Sequence, residues 1–297
     1  MFPDSWTRFA RCLVDERPRF VVSFGSAWHL LPEHITSPLN VTPDALCTAR
    51  AVAPLHEEPT RFLVPLDPGK VIGVGLNYRS HALEVGAPIP NAPLLFAKFN
   101  SSLIGHGDTI IVDEAVTRAA DWEVELAVIV GHPLKRASRT VASEAIFGYT
   151  VANDVTARDI QAADLQWTRS KSLDTFGPLG PWIVPARAID PDLATLRARV
   201  NGVTMQNGST SDLIFDVVEL LSFCSWNFVL NPGDVILTGT PPGVGGFRKP
   251  PIYLRDGDVI EAEVEGIGTL RNAVRQVPQR SEATQGKPAE VQLAQIQ

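Results

Sequence analysis

Cysteine is scarce: Cys12, Cys47 and Cys224 are the only three in the chain, and no two form a C-x-x-C pair. That excludes a cysteine-built zinc site and a disulfide framework, and it fits a reducing compartment. Long apolar runs are missing as well, so no segment reads as a membrane span. The opening MFPDSWTRFARCLVDERPRF has no continuous apolar core, and Asp4, Asp15 and Glu16 fit a transit peptide poorly. The expected location is therefore the cytoplasm. No cluster of Lys and Arg offsets the net charge of -7, which excludes nucleic acid as the main partner. GVGLN lacks the third glycine and long helix of a dinucleotide fingerprint, NPGDVILTGTPPGVG lacks the order of a P-loop, and no repeat of solenoid period is present.

What remains is an ordinary globular composition, 44% hydrophobic and 20% charged over 297 residues. RFVVSFGSAWHLL reads as a hairpin turning at Gly25-Ser26 inside a proline-rich first stretch, taken as a small N-terminal domain over residues 1–66. From KVIGVGLNYRSHALE onward, the apolar runs VIGVGLN, TIIV, WEVELAVIV, GYTVAND, GPWIVPA, DVILTG and DVIEAEVEGIG alternate with Gly/Pro turns. Short helices are expected at RSHALEVG, TARDIQAADLQ and FDVVELLSFCSW. The class is α+β, mainly β, with antiparallel strands rather than a doubly wound parallel sheet. A main domain spans residues 67–277, and 278–297 forms a polar tail.

Within AADWEVELAVIVG, strand alternation puts Trp122, Val124, Leu126, Val128 and Val130 on one side and Glu123 and Glu125 on the other. The plain reading of the second side is a solvated face. Asp154, after an apolar strand, supplies a third carboxylate, and the three together would make an all-oxygen site for a hard divalent cation. Taken alone, Asp154 equally suits a helix cap. His81 and Glu84, at i and i+3, form the pair a general base needs, or a surface hydrogen bond. Arg158 and Gln161 share a helical face; Arg158 also suits a surface ion pair, and Lys171 a solvated lysine. Thr240 sits in a Pro-stiffened loop able to present amides and a hydroxyl to an anion. His29, His34, His56, His106 and His132 lack a comparable partner and read as structural.

In order along residues 71–272, GLNYRSHALE, DWEVELAVIVG, GYTVANDVTARDIQ, KSLDTFGPLGPWIV, VNGVTMQNGSTSDLIF, LNPGDVILTGTPPGVG and DGDVIEAEVEGIGTLRN resemble the fumarylacetoacetate hydrolase family. The resemblance implies a catalytic domain of mixed β-sandwich and β-roll character, a homodimer, and a divalent cation, Mg2+ first with Mn2+ or Ca2+ as alternatives. It implies Glu123, Glu125 and Asp154 as cation ligands, His81, Glu84 and Lys171 as catalytic groups, and Arg158, Gln161, Tyr78 and Thr240 as substrate contacts. Trp122 stands where the family often has tyrosine, and Phe99 rather than proline follows Lys98.

The implied activity is catabolic: hydrolysis of a carbon-carbon bond in a 2,4-dioxo acid, an acylpyruvate or fumarylacetoacetate-like anion, through a cation-stabilised enolate. Decarboxylation, or isomerisation of an unsaturated 2-hydroxy diacid of the 2-hydroxyhepta-2,4-diene-1,7-dioate type, would use the same groups. A structural cation without catalysis is the third reading.

Overall fold

The computed structural model describes residues 6–55, 59 and 61–279. Its largest unit is a ten-stranded sheet. From one edge the strands run Ala27–Leu30, Arg17–Phe24, Arg8–Val14, Gly177–Pro185, Ile146–Asn153, Val124–Val130, Val235–Leu237, Val71–Gly75 and Leu94–Lys98, with Leu103–Ile104 alongside Gly177–Pro185. A second sheet of five strands runs Val203–Ser209, Thr195–Val200, Val259–Val264, Gly268–Val277 and Thr109–Asp113. Most pairings are antiparallel, as the density of tight turns implies; Val235–Leu237 lies parallel to Val71–Gly75.

The Val124–Val130 strand is buried along its whole length. Val124, Leu126, Val128 and Val130 join Leu196, Ala198, Ile260 and Ala262 in the core between the two sheets. The opposite side is not solvated. Ala127 and Ile129 pack instead with Phe9, Val22, Leu31 and Leu46 from the first 66 residues. Alternation thus assigned the faces correctly, while the solvated reading fails because the N-terminal layer covers Ala127 and Ile129, and Glu123 and Glu125 are buried where the same face borders a cavity.

The expected hairpin forms, with Phe24 opposite Ala27 and the chain reversing at Gly25, whose φ of 65° a residue with a Cβ adopts reluctantly. The hairpin joins the large sheet through Arg8–Val14, which pairs with Arg17–Phe24 on one side and, at Phe9, with Ile183 on the other. Of the tail 278–297, only Pro278 and Gln279 fall within the described residues.

The helices Arg79–Glu84, Arg158–Ala163 and Val217–Asn227 lie where expected. Pro43–Ala51, Arg139–Glu144 and Thr168–Lys171 are additional. The first of these hides in the proline-rich stretch, yet its start carries a recognisable signature: Thr42 accepts from the Ala45 N–H, and Pro43 occupies the first helical turn, where its missing donor costs nothing. No helix among the described residues is long and apolar enough to cross a membrane.

Candidate functional site

Strand register assembles the acidic centre. Ala152 pairs with Glu125 and Asn153 with Val124, so the end of Ile146–Asn153 delivers Asp154 beside the two glutamates. Two hydrogen bonds fix that junction, from the Asp154 N–H to the Glu123 carbonyl at 2.8 Å and from the Glu123 N–H to Asn153 Oδ1 at 2.9 Å. One carboxylate oxygen from each of Glu123, Glu125 and Asp154 lies within 4.8 Å of the others, and all three residues are buried. Asp154 caps no helix; the N-cap of Arg158–Ala163 is Ala157.

Three buried cations surround these acids. Lys171 Nζ donates to Glu123 Oε2 at 2.5 Å and Asp154 Oδ2 at 2.6 Å, Arg158 Nη2 donates to Glu123 Oε1 at 2.6 Å, and Lys98 Nζ donates to Asp154 Oδ1 at 2.8 Å and also to the Lys171 carbonyl. The surface readings of Arg158 and Lys171 therefore fail. Burial alone would raise the Glu123 carboxyl, but Lys171 and Arg158 outweigh it and hold the group at about 2. Among the described residues, Glu125 has only the Gly239 N–H, at 2.7 Å, as hydrogen-bond donor. Its burial, with Asp154 and Glu123 close by, pushes its carboxyl well above the usual range. A divalent cation answers that electrostatic need, and an all-carboxylate donor set suits a hard ion.

A cavity of about 510 Å³ opens onto this centre, lined by Glu123, Glu125, Asp154, Arg158, Gln161, Lys171, Thr240 and His81. Phe96, Trp167, Phe247 and Tyr253 supply its aromatic walls. His81 Nδ1 lies 2.8 Å from Glu84 Oε2, and Glu84 Oε1 accepts the Gly243 N–H at 2.8 Å. With Nδ1–H given to the carboxylate, Nε2 is the nitrogen left to accept a proton. The short helix bearing the pair is pinned from outside, the Ser80 N–H donating to Asp212 Oδ2 at 2.9 Å and Arg79 Nη1 to the Leu213 carbonyl at 2.6 Å. Arg158 Nη1 donates to Gln161 Oε1 at 2.8 Å, as their spacing implies.

Of the expected substrate contacts, Tyr78 lies off the cavity wall. Tyr78 is fully buried and does not line the cavity; its hydroxyl finds no partner among the described residues, and burial, then Glu125 and Asp212, push its pKa up. It is a core residue at the base of the His81 helix. Thr240 reaches the cavity, but its hydroxyl already donates to the Val124 carbonyl at 2.9 Å and accepts from Gln206 Nε2 at 2.7 Å. Glu84 stands behind His81 rather than on the cavity wall. Among the other histidines, His29 Nδ1 lies 3.1 Å from the Ala49 and Val52 carbonyls, whereas His56 lies outside the described residues.

Lys98 is the group that sequence reasoning missed. Its signal is position: it shares a strand face with the buried Phe96, where a lysine needs a buried anion. Asp121, two residues before Glu123, is a second omission, and it carries Arg158 Nε at 2.8 Å.

A model of the fumarylacetoacetate (FAA) hydrolase C-terminal region matches residues 70–275. The chain belongs to the fumarylacetoacetate hydrolase family. Within that family, the mitochondrial oxaloacetate tautomerase FAHD2A of Bos taurus is 43% identical over 240 residues, covering 80% of this chain and 76% of the relative. Fumarylacetoacetate hydrolase from psychrophilic Exiguobacterium antarcticum superposes with a TM-score of 0.83 at 39% identity, over 91% of this chain and all of that one. The 2-hydroxyhepta-2,4-diene-1,7-dioate isomerase from Mycobacterium marinum gives 0.73 at 35% identity, over 91% and 98%. The mainly β family fold is thus the one described above.

Proposed function

We propose that the protein is a cation-dependent enzyme of 2-oxo acids that moves a proton at C3, interconverting the keto and enol forms of a 2-oxo diacid. One observation carries this reading: the His81–Glu84 pair and the Glu123, Glu125 and Asp154 carboxylates meet at the same cavity. The tautomerase and isomerase relatives support it.

Glu123, Glu125 and Asp154 would hold the cation, Mg2+ first, with Mn2+ or Ca2+ as alternatives. Bound there, it supplies Lewis-acid stabilisation of charge developing on the 2-oxo oxygen. The chain's own side chains do the rest. Arg158 and Lys171 attract the substrate's carboxylates, and the aromatic walls exclude water from its carbon chain. His81 Nε2 accepts the C3 proton, the C–H electron pair becomes the C2–C3 double bond, and the 2-oxo oxygen takes up a proton; the reverse sequence restores the ketone. Glu84 holds the imidazole in place and stabilises its cationic form.

Hydrolysis is the second reading, favoured by the likeness to the Exiguobacterium hydrolase. In a 2,4-dioxo acid, His81 would take a proton from water, hydroxide would add to C4, and the C3–C4 bond would break, its electrons leaving as the enolate of pyruvate. Loss of carbon dioxide from C3 of a β-oxo diacid such as oxaloacetate leaves the bond's electrons as the same enolate. In either reading the working unit would be a homodimer, as the family resemblance implies, and the three cysteines without a C-x-x-C pair fit a reducing compartment such as the cytoplasm.

The test follows enol-oxaloacetate ketonisation by ultraviolet absorbance and pyruvate release from acetylpyruvate, each with Mg2+ or Mn2+ and again with chelator. Cation-dependent ketonisation without pyruvate supports proton transfer. Pyruvate from acetylpyruvate puts hydrolysis first, and neither activity from cation-loaded protein overturns both readings.

A further inference from the structure

Arg158 is held by a device that the proton-transfer chemistry does not itself require. Its Nε donates at 2.8 Å to Asp121 Oδ2, and Asp121 is fully buried. Three backbone amides saturate the same carboxylate: Trp122 and Gly245 donate to Oδ1 at 2.8 and 2.7 Å, and Gly246 donates to Oδ2 at 2.8 Å. Such close approach needs glycine. A Cβ on Gly245 would stand 2.8 Å from Asp121 Oδ1 and 1.9 Å from the Ile252 carbonyl, and one on Gly246 would stand 3.0 Å from Arg158 Cγ. Phe247, next in the loop, lies under the guanidinium, 5.3 Å from its Cζ, with its ring 6.2 Å from that of His81.

The guanidinium has five N–H groups. Asp121, Glu123 and Gln161 take one each, which leaves one on each terminal nitrogen for a ligand in the cavity that Arg158 lines. A planar pair of donors held at fixed orientation matches a carboxylate. A free arginine would lose that match to rotamer motion.

We propose that Asp121, seated on the Gly245–Gly246 amides, is the positioning residue that makes Arg158 selective for a second substrate carboxylate, so that 2-oxo dicarboxylates are preferred over 2-oxo monocarboxylates. This rests on the 2-oxo acid reading above. It adds which part of the molecule sets the substrate class, and it places the anchoring carboxylate, Asp121, behind the cavity wall, held by a loop far away in sequence whose Gly246 and Phe247 line the cavity.

The test measures binding by calorimetry in Mg2+, with 2-oxoglutarate as the dicarboxylate probe and 2-oxobutyrate as the monocarboxylate probe, for the wild type, Asp121→Asn and Gly246→Ala. Asparagine keeps the size of Asp121 but turns one acceptor into a donor facing Arg158 or an amide. Alanine at 246 displaces Arg158 from the loop side and leaves the carboxylate intact. Both variants are expected to weaken 2-oxoglutarate by about tenfold or more, the scale of a lost charge-assisted hydrogen bond, and 2-oxobutyrate by less than about threefold. A general structural role would weaken both probes alike, and that result in either folded variant overturns the proposal. So does a wild type that binds the two probes equally. Discrimination in the wild type, lost in the variants but without turnover of oxaloacetate or acetylpyruvate, would sink the catalytic reading and leave the positioning role standing.

Discussion

Glu84 bridges the base and the loop: its Oε2 faces His81 Nδ1 at 2.8 Å, while its Oε1 accepts the Gly243 N–H at the same distance. Both contacts need an acceptor oxygen, and glutamine has only one. Glu84→Gln must therefore lose the imidazole tautomer or the loop contact. The expected outcome is a kcat lower by about 10²-fold, the scale of general-base catalysis, with the melting temperature little changed. Unaltered turnover in folded Glu84→Gln protein would rule out the His81–Glu84 base.

The acidic centre predicts a pH-dependent response to cation. Glu125 has its carboxyl raised above the ordinary 4.5 by burial and by Asp154 and Glu123. A group raised in the folded state contributes stability that is present below its unfolded value and is lost as pH rises through the folded one. Cation-free protein should accordingly lose stability as pH climbs above about 4.5 on account of this residue. The cation needs the ionised form and relieves the repulsion, so the gain in melting temperature on adding Mg2+ should grow with pH. Melting curves with Mg2+ and with chelator between pH 5 and 8 test this; Glu125→Gln should flatten the dependence. Glu123, already held at about 2, contributes the opposite slope only in acid.

Much of this centre is legible in the sequence. Period-two alternation separated Glu123 and Glu125 from the apolar residues of their strand, and the i, i+3 spacing joined His81 to Glu84 and Arg158 to Gln161. What stayed hidden depends on contacts across long sequence separations. Covering the second face requires Phe9, Val22 and Leu31 to arrive from the N-terminal segment. Lys98 and Asp121 acquire meaning only when their partners Asp154 and Arg158 are delivered by other elements. Tyr78 shows the converse: a motif position fixes neighbourhood in sequence, but the side chain beside His81 turned into the core.

A control for these site variants lies in the Val217–Asn227 helix. Asp216 caps it, Oδ1 accepting the Glu219 N–H at 2.8 Å, while Oδ2 pairs with Arg139 at 2.5 Å. Asp216→Ala should cost about 1 kcal/mol, the usual value of a lost N-cap, and lower the melting temperature by about 2–4 °C. Neither residue lines the cavity, so kcat and KM should not move. A large kinetic change would show that the helix is coupled to the site.

Lys98 gives the sharpest separation of charge from packing. It is almost wholly buried, and burial lowers its pKa against the pull of Asp154. Lys98→Met keeps much of the volume and removes the ammonium, leaving Asp154 Oδ1 without that donor. Breaking a buried pair from one side costs up to about 3–5 kcal/mol where the remaining charge is left alone, and Lys171, still 2.6 Å from Asp154 Oδ2, offsets part of that here. In chelated protein, Lys98→Met should therefore melt below the wild type. A cation at Asp154 supplies positive charge from another direction, so Mg2+ should recover more stability in this variant than in the wild type. Equal Mg2+ gains in both would mean that Lys98 and the cation act on Asp154 independently. A melting temperature unchanged even with chelator would mean that the Lys98–Asp154 contact contributes nothing to the stability of the fold.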